Sequence, residues 1–286
     1  MNRKLKFLIL LLLSSAAFVQ AQDFSFGFKA GLNFSTISGP SETDNSGTEL
    51  EDYNLTTGFV FGGRFNVKLT DQFGLRAELT YGQKGAEYNF EGPSYWAFTA
   101  SDNSTVLSTG TRRTVLKITN SYLELPLMGY ARFGRIELSG GLSLGALISS
   151  RGTGELVYSG ETAGGQTVDP FTVVLDFNYF GDPLVPVGSD DVENRTLDGK
   201  MVSIPSSIDA YYEASQNDVK YFNTIDVGLN AEIAFFLNQG LYLGLRGSYG
   251  LADVTKTDQD FSTVALGNNN QVILREDTDR NLSIQA

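Results

Sequence analysis

Between Phe24 and Ser35 apolar and polar residues alternate without a break. Phe24, Phe26, Phe28, Ala30, Leu32 and Phe34 oppose Ser25, Gly27, Lys29, Gly31, Asn33 and Ser35. A strand points successive side chains to opposite faces, so this run specifies a strand with one apolar and one polar face. The pattern returns at Leu55 to Leu69, Phe73 to Tyr81, Leu123 to Phe133, Ile136 to Ile148, Ile225 to Leu237 and Leu241 to Leu251. Connections are sorted as well. Thr70-Asp71-Gln72, Gly134-Arg135 and Asn238-Gln239-Gly240 join three strand pairs tightly, whereas the others run long, over 36–54, 88–114, 151–222 and 253–280.

Tight turns at one end and long loops at the other are the pattern of a bacterial outer-membrane barrel. A soluble sandwich also alternates, but it does not sort its loops this way and rarely carries strands of twelve or more residues. The expected fold is therefore all-β, a transmembrane antiparallel up-and-down β-barrel of eight strands. The eighth begins at Asn281, with Leu282, Ile284 and Ala286 on one face. It is shorter than the roughly 9–11 residues of a spanning strand, and is read as truncated. Phe171 to Tyr179 also alternates and reads as a hairpin arm above the membrane, with a ten-stranded barrel as the alternative.

The first residues give the compartment. Arg3, Lys4 and Lys6 precede an apolar run from Phe7 to Leu13 and small residues up to Ala21, which reads as a signal peptide over 1–21. The run is too short for a helical anchor, which needs about 20 residues, and no cysteine follows to make a lipoprotein. The barrel domain then occupies 22–286, with a long extracellular loop at about 152–222. Losing the leader leaves 18 of the 21 basic residues against 33 acidic ones. Such an acidic chain is a poor nucleic-acid binder.

Apolar alternation alone fits a core facing inward or a wall facing lipid, and the polar face decides between them. It carries Lys29, Arg64, Lys68, Arg76, Glu78, Glu124, Glu137, Glu232 and Arg246, both signs mixed. A polar interior inside an apolar wall has that composition, and the expectation is an interior charge network of Arg64, Lys68, Arg76, Glu78, Glu124, Glu137, Glu232 and Arg246, with a substrate site as the less favoured reading. Phe24, Phe73, Phe133 and Phe235 lie near the tight turns, where an aromatic girdle meets the lipid interface.

Three segments, Tyr81-Gly-Gln-Lys-Gly-Ala86, Tyr122-Leu-Glu-Leu-Pro-Leu127 and Arg246-Gly-Ser-Tyr-Gly-Leu-Ala-Asp253, together with Gly27-Phe-Lys-Ala-Gly-Leu-Asn33, resemble the PorT-like outer-membrane β-barrel family. The resemblance covers essentially the whole mature chain and implies an eight-stranded barrel. The name-giving member of that family is an accessory to a protein-secretion and gliding apparatus. The long third loop and the short last strand depart from the family pattern.

Catalysis is not expected. The chain has no histidine and no cysteine, which removes the usual general base, zinc ligands and the partner of a serine nucleophile. Glu155, Asp169, Asp176, Asp190, Asp191, Glu193, Asp198 and Asp218 crowd the third loop and admit divalent-cation binding, but without an Asp-x-Asp-x-Asp-Gly loop a solvated surface is the better reading. No catalytic residue, metal or cofactor is assigned. The expected partners are outer-membrane lipid and lipopolysaccharide, with envelope or secretion proteins admitted and nucleic acid excluded, and the expected state is a monomer. The function expected is a structural or surface-interaction barrel whose specificity lies in its loops; a secretion accessory or a narrow solute channel are the alternatives, the latter disfavoured because eight strands enclose only enough room for side chains.

Overall fold

The computed structural model describes residues 23–44, 46–184, 187–213, 220–275 and 277–286. The leader expected over 1–21 lies outside them. Eight wall strands form a closed ring: β1 (Asp23–Ser38), β2 (Thr56–Lys68), β3 (Phe73–Thr99), β4 (Thr105–Phe133), β5 (Ile136–Thr162), β6 (Ile225–Phe236), β7 (Tyr242–Gly250) and β8 (Arg280–Gln285). Each pairs antiparallel with the next, and β8 closes the ring by pairing with both β7 and β1. The registers Arg246↔Gln285 on one side of β8 and Asn33↔Gln285 on the other fix that closure.

The wall faces outward with its apolar residues. Phe28, Phe61, Leu79, Leu127, Leu142, Leu229 and Leu245 are all exposed, while the residues flanking them in each strand are buried or half-buried. That inversion fits a wall bathed in hydrocarbon, and β8 joins it only along Asn33–Ser38 of β1 and Arg246–Tyr249 of β7, so nearer the turn end those two strands share no ladder. The three tight turns lie at one end. In the β2–β3 turn, Leu69 and Thr70 both donate to the Phe73 carbonyl. In the β4–β5 turn Gly134 sits at φ 62°, a left-handed position that glycine occupies without a steric penalty.

Strands β3, β4 and β5 are much longer than their sequence patterns suggested, at 27, 29 and 27 residues. A spanning strand needs roughly 9–11, so all three continue far past the bilayer. The connection expected over 88–114 is strand for nearly its whole length, turning only at residues 100–104. Likewise the third loop does not begin near 152; β5 runs on to Thr162 and folds back through the strand Thr167–Asn178, which pairs with β5 above the ring. Phe171 to Tyr179 is thus an arm outside the barrel, and the ring has eight strands, not ten.

These extensions build a platform with an apolar core. Trp96 and Phe98 of β3, Tyr158 of β5, and Phe171, Val173 and Leu175 of the returning strand are buried together. A hairpin, Val192–Leu197 with Lys200–Pro205, covers them with Val202 and Ile204. Its two-residue turn, Asp198-Gly199, holds φ 49° and 75°, the conformation that matches the twist of a tight hairpin.

Candidate functional site

The barrel interior is a ladder of paired charges, and strand register creates it. Arg64 of β2 lies directly opposite Glu78 of β3, and Glu232 of β6 directly opposite Arg246 of β7. Near the turn end Glu232 is the hub. Its Oε1 takes Arg64 Nη2 at 3.2 Å and Arg76 Nη1 at 3.5 Å, and its Oε2 takes Arg246 Nε at 2.7 Å. Glu78 joins Arg246 at 2.8 Å, Arg64 at 3.3 Å and Lys29 at 3.5 Å. Arg76 is also paired with Glu137, which holds Arg132 at 2.7 Å. A separate tier higher up consists of Lys84 with Glu124 at 2.5 Å and Asp226 at 3.2 Å, and Asn281 donates to the same Asp226 oxygen.

Lys29, Arg64, Arg76, Lys84 and Arg246 thus face Glu78, Glu124, Glu137, Glu232 and Asp226, five inward-facing groups of each sign, with the half-exposed Arg132 a further cation at the turn end. Balance is what a buried set requires, because an unpaired charge in low dielectric costs several kcal/mol, on the order of 3–5 when one partner is removed. A cleft of about 230 Å³ opens beside the lower tier, between Phe28–Gly31 of β1 and Leu241–Gly244 of β7.

Of the charges expected inside, Arg64, Arg76, Glu78, Glu124, Glu137, Glu232 and Arg246 meet in this ladder. Lys68 does not. It pairs at 2.9 Å with the fully exposed Asp71 at the β2–β3 turn, where the wall ends and its chain reaches water. Lys84 and Asp226 were absent from the expected network. Continuing the even-numbered face of β3 from Arg76 and Glu78 through Gly82 reaches Lys84, so the signal lies in the sequence just past that glycine. Phe24, Phe73, Phe133 and Phe235 are exposed at the turn end of the wall, and Phe24 stacks on Phe65 at 5.6 Å.

Above the upper tier the interior changes from charged to aromatic. Tyr122, Leu147, Tyr179 and Phe222 are buried there, with Tyr221 packed against Tyr179 at 5.3 Å. Over this layer sits an acidic group from the last long loop and the first. Arg275 pairs with Glu51 and with Asp277, each at 2.7 Å, and lies 3.9 Å from Asp260. One carboxylate oxygen from each of Asp260, Asp277 and Asp279 lies within 4.8 Å of the others. Burial and a hydrogen bond with Asp277 push the Asp260 carboxyl up to about 8, and burial pushes Asp279 up to about 6. The acids of the third loop form no such group among the described residues, and Asp218 lies outside them.

Both raised carboxyls bind protons more tightly when folded than when unfolded, where an aspartate titrates near 4. Their contribution to stability is therefore present below about pH 4 and is lost as pH rises toward 8. The last long loop should accordingly unfold more readily at pH 8 than at pH 5 when followed by protease cleavage between residues 257 and 279. Asp260→Asn should flatten that difference; an unchanged pH dependence would show that another group sets it.

A wall with lipid-facing apolar residues, tight turns at one end and a charge-filled interior is the geometry of an outer-membrane barrel. A family model described as outer membrane protein beta-barrel domain matches residues 20–256. The chain belongs to that family. Membership implies the outer membrane as its location. No curated protein matches the chain.

Proposed function

We propose that this barrel is a non-catalytic surface-interaction protein, anchored by its wall and binding through the platform that β3, β4 and β5 raise outside the membrane. One observation carries the reading: the interior is filled by ion-paired side chains below an aromatic layer, and from that layer a single apolar core continues up into the exterior part. A channel needs an empty axis, and a merely structural barrel has no use for an apolar core raised above its wall. Loops carried on a rigid scaffold are where recognition concentrates. The partner class that fits the PorT-like resemblance of Tyr122-Leu-Glu-Leu-Pro-Leu127 is an envelope or secretion protein.

Two measurements test it. Purified protein reconstituted in planar bilayers should show no stepwise conductance, and photo-crosslinkers placed at the exposed Val174 and Met201 should capture an envelope protein in intact cells. Steady ion flux that Arg76→Ala or Glu124→Ala alters would replace the reading with a narrow solute channel. Crosslinkers that capture only lipid would reduce it to a structural role.

A further inference from the structure

Where the first, third and last long loops meet over the aromatic layer, the structure leaves a partly open cavity of about 120 Å³. Its walls are mostly rings and aliphatic side chains: Tyr53, Tyr88, Tyr179, Tyr221, Leu116 and Ile118. Tyr53 and Tyr88 lie 5.2 Å apart between centroids, so two of the rings form a continuous surface. Gln259 also lines the cavity and is only 1% exposed, yet neither its Nε2 nor its Oε1 has a hydrogen-bond partner. Buried amides are almost always paired, and leaving a donor or acceptor unmade costs about 1–3 kcal/mol each. An orphaned donor beside an orphaned acceptor on one side chain specifies a complementary edge on whatever fills the space.

The size and charge of that occupant follow from the same walls. An apolar cavity of roughly 150 Å³ holds one benzene molecule, so this one takes a single ring or its equivalent. The formal charges at the rim are Glu51 and Arg275, which pair with one another at 2.7 Å, and Asp260. Burial raises the Asp260 carboxyl to about 8, so near neutral pH it is largely protonated and the rim carries no net charge.

We propose that this cavity is a binding site for a small neutral planar molecule, about one six-membered ring in size, whose edge presents a hydrogen-bond donor and an acceptor side by side to Gln259. A lactam or a primary carboxamide has that edge, and the tyrosine rings receive its faces. Water is the rival occupant, because an ordered water needs two to four polar partners and Glu51, Asp260, Thr263 and Arg275 also line the cavity; absence of saturable probe binding would assign the space to water. The site is independent of what the platform binds outside, so either assignment can fail alone.

The test uses the full-length refolded protein in detergent with 2-pyridone as probe and benzene as a control of similar shape lacking the edge, both titrated by saturation-transfer NMR. 2-Pyridone should bind saturably and benzene roughly tenfold or more weakly, since a site built to hydrogen-bond rejects an analogue without the group. Gln259→Leu should erase that preference, and Ile118→Phe, which fills the cavity and leaves Gln259 in place, should abolish binding of both. The heat-dependent gel shift of a folded barrel checks that each variant folds. Equal binding of the two probes, 2-pyridone binding that survives Gln259→Leu, or no saturation in the folded native protein would each overturn the proposal.

Discussion

Replacing Glu232 with alanine should destabilise the folded barrel by about 3–5 kcal/mol, the cost of leaving buried cations without their shared partner. Three guanidinium groups, those of Arg64, Arg76 and Arg246, converge on this one carboxylate. After its removal Arg76 keeps Glu137, while Arg64, Arg246 and Lys29 are left to share Glu78, so the lower tier holds two cations without a carboxylate of their own. Glu232→Gln keeps the shape and two hydrogen-bonding atoms but not the charge, and should fall between alanine and the native protein. The informative variant is the double replacement Glu232→Leu with Arg246→Met. These residues face each other across β6 and β7, and deleting the pair removes a cation and an anion together, so the double variant should be more stable than Glu232→Ala. Urea unfolding in lipid vesicles, read by the gel shift on heating, measures all three. A loss below about 1 kcal/mol for alanine would mean that water reaches the network and screens it as it does a surface pair.

Trp96→Ala should cost a comparable amount, about 3–5 kcal/mol, because truncating a buried aromatic removes both its transfer energy and the contacts lining the hole. The indole is 2% exposed. It meets Phe171 edge-on at 5.2 Å, lies 5.9 Å from Tyr158, and carries the Arg112 guanidinium over its face at 5.5 Å. Arg112 in turn reaches Glu213 at 2.6 Å, so the same substitution loosens a tie to the third loop. The loss should be local. The paired charges and wall registers lie at the other end of β3, and the barrel should keep its gel shift while residues 163–213 become open to protease and to amide exchange. Trp96 is the only tryptophan, so its own fluorescence cannot report the change. Simultaneous loss of the barrel would show that platform and wall fold as one cooperative unit.

Why these two parts were unequally legible can be seen along β3. From Phe73 to Tyr81 the apolar residues are odd-numbered and face outward, with Arg76, Glu78 and Thr80 inside. From Ala86 to Phe98 the strand keeps its parity, and even-numbered residues still face inward, but now these are Ala86, Phe90, Trp96 and Phe98. The apolar set has changed faces without any break in the backbone. A reading based on one apolar face sees the pattern dissolve after Tyr81, at Gly82 and Gly85, and assigns a loop. The same change of face hides the first part of β4 and the last part of β5, and it hides Lys84 in β3.

The sequence by itself determined the wall. Seven alternating runs, sorted connections and a mixed-charge polar face leave few folds open, because period two is a local property of strand geometry and needs no partner to be read. What only the tertiary structure decided was where along each strand the medium changes. Outside β3 lies hydrocarbon along the wall and water above it, so the apolar face must reverse where the strand leaves the bilayer, and that level is a property of the assembled ring. The meeting of Glu232 with Arg64 and Arg76, 168 and 156 residues away along the chain, and of three loops around Gln259 depends likewise on segments that only register and closure bring together.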